Sequence, residues 1–184
     1  MSSFLLNWTP AGGLNSTGQQ VQYKQSSSST WITVTTVGPS TTTYTATGLL
    51  DNVIYDFQIV NLCTYGGPTS GTSFQSINLT CPTVQVTPTF NSASFSFSNL
   101  GGSVTEYKVD LLDASGSSVI ASKNTVAPTG TISDSFTGLD PQTNYQIRVT
   151  VKAGTYTKQC PAASFATSPL PVCDPPTNLT GTIN

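Results

Sequence analysis

At 184 residues the chain can hold one large or two ordinary domains, and no apolar run approaches the twenty or so residues that a membrane-crossing helix needs. Six Lys and Arg stand against eight Asp and Glu, and the cations (Lys24, Lys108, Lys123, Arg148, Lys152 and Lys158) are scattered, so no basic stripe exists to neutralise phosphates and nucleic acid is not an expected partner. Ser and Thr make up roughly 30% of the residues while charged residues reach only 8%, a composition of strands rather than helices.

From residue 3 onward, polar and apolar residues alternate at period two in short runs bounded by Gly, Pro, Asn and Ser, which predicts an all-β sandwich. The first strand carries Phe4, Leu6 and Trp8 on one face, and the second carries Val21 and Tyr23. Further strands are predicted at residues 31–37, 43–49, 55–63 and 73–79. The start, Met1-Ser2-Ser3-Phe4-Leu5-Leu6-Asn7-Trp8, lacks a basic region and a sufficient apolar run, so no secretory signal is expected unless the numbering begins after cleavage.

The same order then recurs at an offset of about 90 residues, with an additional strand in front. Trp8-Thr9-Pro10-Ala11-Gly12-Gly13 aligns with Phe97-Ser98-Asn99-Leu100-Gly101-Gly102, and Tyr23-Lys24 with Tyr107-Lys108. Gly48-Leu49 followed by Tyr55 aligns with Gly138-Leu139 followed by Tyr145, and Phe4, Leu6 and Trp8 match Ala93, Phe95 and Phe97 on the inward face.

These residues resemble two fibronectin type III (Ig-like) domains in tandem. The resemblance implies core aromatics at Trp8, Tyr23, Phe97 and Tyr107, and tyrosine corners at Tyr55 and Tyr145 behind Leu49 and Leu139. It divides the chain into a domain at 1–80, a complete domain at 81–170, and a linker with a C-terminal strand at 171–184. Strand A of the family matches residues 81–87 in the second copy and has no counterpart before Phe4 in the first. The stretch Thr177-Asn178-Leu179-Thr180-Gly181-Thr182-Ile183 resembles a further strand A.

In that fold, successive domains run pole to pole, so the last strand leaves at the far end of the second domain. Returning it to the first domain of its own chain means crossing on the order of 70 Å, whereas residues 168–173 span at most roughly 20 Å. The same topology places Cys81 and Cys160 at one pole, as a bridge or a buried thiol pair, and leaves Cys173 facing Cys63 of whichever domain the last strand completes. The expectation is a donor strand, Thr177 to Ile183, that pairs with the acceptor strand Phe4-Leu5-Leu6-Asn7-Trp8 in a neighbouring copy, giving a ring or a filament. Two other readings of the same phase stand beside it: a segment of a longer repeat array, and a tail with no partner.

With no His and with Glu106 as the lone Glu, the usual general bases and most zinc sites are missing. Asp110 and Asp113 read as solvated turn residues, as do Asp51, Asp134, Asp140 and Asp174. No catalytic, cofactor or metal site is expected. The expected protein is a non-enzymatic structural subunit that binds other copies of itself, with other virion or cell-surface proteins as further partners and no membrane insertion. The opening residues resemble small fibronectin-type proteins of phages that infect Bacteroidetes, which implies a virion location. A secreted filament or adhesin, or an accessory module of an extracellular enzyme, is the alternative.

Overall fold

The computed structural model describes residues 1–10, 15–66, 68–71, 73–173, 177 and 180–181, and among these every regular element is a β-strand. The first sandwich comprises β1 (Ser2–Asn7), β2 (Ser16–Gln25), β3 (Ile32–Val37), β4 (Thr43–Leu49), β5 (Tyr55–Cys63), β6 (Thr69–Ser70) and β7 (Phe74–Ser76). The second comprises β8 (Gln85–Pro88), β9 (Ser92–Ser98), β10 (Glu106–Leu112), β11 (Val119–Val126), β12 (Thr131–Thr137), β13 (Asn144–Ala153), β14 (Tyr156–Gln159) and β15 (Ala163–Ala166).

All pairings are antiparallel, and the two sandwiches repeat one plan. One sheet runs β3-β2-β5-β6 in the first and β11-β10-β13-β14 in the second, with β7 and β15 each continuing along the same central strand. The facing sheet is β1-β4 in the first sandwich but β8-β9-β12 in the second.

Alternation sends one side of each strand into the core. On β9, Ala93, Phe95 and Phe97 are buried and meet Tyr107, Val109 and Leu111 of β10 across the sandwich. In the first copy Leu6, Val21, Ala46, Leu49, Tyr55 and Phe57 form a smaller buried core. Both tyrosine corners are closed: the Tyr55 hydroxyl accepts the Leu50 N–H at 3.2 Å, and the Tyr145 hydroxyl accepts the Asp140 N–H at 3.1 Å. Gly48 (φ 75°) and Gly138 (φ 74°) precede the corner leucines in a left-handed turn that suits a residue without a Cβ.

Three sequence expectations are corrected. The run at 73–79 is not one strand. Only Phe74–Ser76 of it pairs with β5, and upstream of it Gly71, whose N–H bonds to Ile59 O at 2.8 Å, stands between this piece and β6. Beyond Ser76, Ile77 and Leu79 pack on the second core, while Asn78 still bonds to Ser2, Asp51 and Asn52 of the first sandwich. Asp110 is not a solvated turn residue. It sits mid-strand opposite Ser122 on one side and Arg148 on the other, its side chain only 3% exposed. Ser122 Oγ donates to it at 2.6 Å, Lys108 Nζ lies at 2.9 Å and Arg148 Nη2 at 3.5 Å. Asp134 lies on β12 rather than in a turn and pairs with Lys123 at 2.8 Å.

The sandwiches are joined by more than the chain between them. Leu79 lies at the edge of the second core, and Lys158 Nζ donates to its carbonyl at 2.6 Å. Asn52, only 5% exposed, holds φ at 61°. Its N–H bonds to Asn78 O at 2.8 Å, and its carbonyl accepts the Ser103 N–H of the second sandwich at 2.7 Å. The Ser103 hydroxyl accepts the Ile54 N–H at 3.1 Å, and Tyr156 Oη donates to Gln75 O at 2.8 Å. Gly102 lies so close that a Cβ there would stand 2.5 Å from Asn52 O.

Cys81 and Cys160 form a disulfide with Cα atoms 5.7 Å apart, tying the approach to β8 to the end of β14. Replacing both with Ser is expected to cost the second sandwich about 2–5 kcal/mol. Calorimetry should show its unfolding transition lowered by roughly 10–40 °C, with the first sandwich little changed. Burial raises the Asp110 carboxyl pKa, but the Ser122 hydrogen bond and the Lys108 and Arg148 cations outweigh this and leave it lowered. The Asp56 and Asp134 carboxyls are lowered too. A lowered folded pKa stabilises above the unfolded value of about 3.9 and is lost as pH falls through the folded value. Stability measured by urea unfolding is therefore expected to decline from about pH 5 towards pH 2.

Candidate functional site

The feature that sets the two copies apart is the free edge of β1. On one side β1 pairs with β4, Leu6 opposite Tyr44 and Phe4 opposite Ala46. On the other side no strand among the described residues pairs with it. The matching strand of the second sandwich, β9, is flanked on both sides: Phe95 stands opposite Asp134 on β12 and opposite Val86 on β8. There β8 presses Val86, and Val84 just before it, onto the core.

Where β8 packs in the second sandwich, the first has an open groove of about 740 Å³. Leu5, Leu6 and Trp8 form one wall, Ile59, Gly71 and Phe74 the other, and Phe57 closes the floor. Phe74 stacks on Phe57 with ring centroids 5.7 Å apart and is still 52% exposed; Leu5 is 64% exposed. One end is polar and ordered: Trp8 Nε1 donates to the buried Gln19 Oε1, and Gln19 Nε2 donates to Pro39 O at 2.6 Å. The groove thus offers unpaired backbone groups along one rim and apolar side chains beneath, the two things an added strand uses.

Of the acceptor residues named from sequence, Leu5, Leu6, Asn7 and Trp8 line this groove, and Phe4 packs on the first core. Of the donor residues, Asn178, Leu179, Thr182 and Ile183 lie outside the described residues. Thr177, Thr180 and Gly181 are exposed and in no strand. Cys63 is half-buried and Cys173 exposed, both as free thiols. Cys63 ends β5 and accepts a hydrogen bond from Asn61 Nδ2 at 3.4 Å.

The place of Cys160, whose N–H bonds to Val149 O, is taken in the first sandwich by Gly71, whose N–H bonds to Ile59 O. Cys63 stands four residues beyond Ile59, about 13 Å further towards the same pole. Phe74, Gln19 and Gly71 were not identified from sequence. The repeat alignment carries a signal for Gly71, because it falls where the second copy has Cys160.

No cluster of three His, Cys, Asp or Glu side chains suited to a metal occurs among the described residues. Among the described residues no helix is long and apolar enough to cross a membrane.

No family model matches the sequence, and no curated protein matches it. Among solved structures, the chain is similar to a segment of two fibronectin type III domains from chicken tenascin. The identity is 15% and the TM-score 0.63, over 90% of this chain and 93% of that one. The FN1–FN3 domains of chicken CNTN1 also match, with 18% identity and a TM-score of 0.42, over 90% of this chain and 60% of that one. The fold is that of two fibronectin type III domains in tandem.

The groove walls divide into those that hold the fold and those that wait on an occupant. Phe57→Ala removes a buried ring and is expected to cost about 3–5 kcal/mol in denaturant unfolding. Phe74→Ala, at the half-exposed rim, is expected to cost about 1 kcal/mol or less, in line with surface substitutions.

Proposed function

We propose that this chain is a non-enzymatic structural subunit that assembles head to tail, the C-terminal strand of one copy adding to the free edge of β1 in the next. The observation that carries this reading is the contrast between the two sandwiches: β9 is covered by β8, whereas β1 faces an open apolar groove. The occupant is a strand of the same type as β8. Residues 176–183 have the required pattern, with Leu179, Gly181 and Ile183 on one face at period two.

Burying Leu179 and Ile183 contributes roughly 1.5–3 kcal/mol each, and each ladder hydrogen bond about 1 kcal/mol, before the cost of ordering the segment. The contact is heterologous, so it propagates or closes into a ring. Cys173 and Cys63 are both free in the single chain, and a bridge between them would lock the contact, provided Cys173 sits about 13 Å further towards that pole than Cys81 does in the second sandwich.

The assembly we propose is a bacteriophage virion component, on the strength of the sequence likeness described above; an extracellular filament or adhesin is the second setting. The Cys81–Cys160 bridge supports a setting outside a reducing cytosol, which both provide.

Native mass spectrometry of the full chain is expected to show multimers, and deletion of residues 174–184 to leave monomers. Leu179→Asp is expected to weaken association by about 30- to 150-fold, the equivalent of 2–3 kcal/mol. Multimers that survive the deletion unchanged would sink the reading. On non-reducing gels, ladders that collapse with reductant and are lost in Cys63→Ser would support the covalent lock.

A further inference from the structure

The stretch that joins the two sandwiches is gripped by a single edge strand of the second. β14 pairs with β13 from Thr150 opposite Gln159 to Ala153 opposite Tyr156, and its other edge meets no strand among the described residues. Residues two apart on a strand share a face, and on β14 one face is turned to the joining stretch. Tyr156 Oη donates to Gln75 O at 2.8 Å and Lys158 Nζ to Leu79 O at 2.6 Å, while Cys160, next in the same phase, is bonded to Cys81. The three partners run in order along the chain, from β7 of the first sandwich to the approach to β8 of the second.

The joint has one other attachment. The Asn52 carbonyl accepts the Ser103 N–H at 2.7 Å, the Ser103 hydroxyl accepts the Ile54 N–H at 3.1 Å, and the Ile54 side chain packs on the second core. These contacts gather at one pair of turns, so alone they form a pivot. Held at β14 as well, the sandwiches cannot swing about it.

We infer that β14 is a clasp fixing the angle between the two sandwiches, and that the Cys81–Cys160 bridge is its catch, opened by a thiol reductant. Cys81 is half-buried and Cys160 buried, so a reductant thiolate reaches the bond at Cys81. Its sulfur bonds to Cys81 Sγ as the bond between the cysteines breaks, and Cys160 leaves as a thiolate that takes up a proton. A second reductant thiolate then displaces Cys81, so the products are two protein thiols and one reductant disulfide. Without the bridge, β14 is left with its four ladder positions on β13 and two side-chain hydrogen bonds to the joining stretch. An edge segment so lightly anchored opens locally before the core does, and the turns at Asn52 and Ser103 then act as a hinge. The angle between the sandwiches thus follows the thiol–disulfide balance of the compartment, independently of any assembly between copies.

The test is pulsed double electron–electron resonance on the full chain, with ketone-reactive spin labels on p-acetylphenylalanine at the exposed Thr45 and Ser133, one in each sandwich. Dilution in unlabelled chain restricts the reading to distances within one molecule. The oxidised chain is expected to give one narrow distance distribution, and dithiothreitol to widen it roughly twofold or more. Cys81→Ser with Cys160→Ser is expected to do the same without reductant. Amide exchange at residues 156–160 is expected to rise roughly tenfold or more on reduction, with β10 unchanged. A width that reduction leaves unaltered overturns the clasp, and so does widening without faster exchange in β14, which would locate the freedom elsewhere. Loss of the near-ultraviolet circular dichroism of the second sandwich on reduction also overturns it, since the bridge would then be a requirement of the fold and not a catch.

Discussion

A strand has hydrogen-bonding groups along both edges, and in a sandwich the strand beside the opening also roofs the core. That double requirement governs this molecule. The second sandwich meets it with β8, which pairs with β9 and brings Val84 and Val86 over the aromatics beneath. In the first sandwich the same edge is bare among the described residues, and the core under it is correspondingly smaller. Exposed edges are usually guarded by charge, Pro or a covering loop. Ser2–Asn7 carries no charged side chain and no Pro, so none of these guards lies within the strand itself.

The polar interactions sort by how well each is enclosed. Asp110 has three donors on one sheet face and is closed to solvent, which makes it part of the fold. Gln19 is as deeply buried but lies at the end of the groove, where its amide joins Trp8 to Pro39 and so holds one rim at a fixed distance from the loop behind it. Asn52 connects two sandwiches with its main chain while its side chain bonds to Thr80 in the linker. Each group is satisfied locally, as buried polar groups must be, yet only Asn52 bears on a neighbouring sandwich.

Much of the fold is legible in the sequence because it is written at period two. Phe4, Leu6 and Trp8, or Ala93, Phe95 and Phe97, identify an inward face without reference to any other strand. The 90-residue offset then reveals that one copy has a strand the other lacks. What stays hidden depends on register between strands. Asp110 looks like a turn residue until β10 is laid between β11 and β13, which places Ser122 and Arg148 beside it. The break in the last strand, with Gly71 bonded to Ile59 between its pieces, is likewise a matter of pairing. The far wall of the groove, Ile59 and Phe74, exists only once two sheets are stacked. The turns after Leu49 and Leu139 are legible as a repeat, but the left-handed backbone of Asn52 and Gln142 within them is not.

The disulfide has a mechanical consequence. A pull between the two ends of the chain enters the second sandwich at Cys81 and leaves through the segment after β15. Because Cys81 is bonded to Cys160, the load passes directly between the two sulfurs and on into β15, and the strands from β8 to β14 lie in a covalent loop that carries no tension. Without that shortcut, tearing the sandwich open would release the 79-residue separation between the cysteines, about 270 Å of slack at full extension. With it, the second domain can release only its last strand, so most of the length that tension can draw from the chain lies in the first domain.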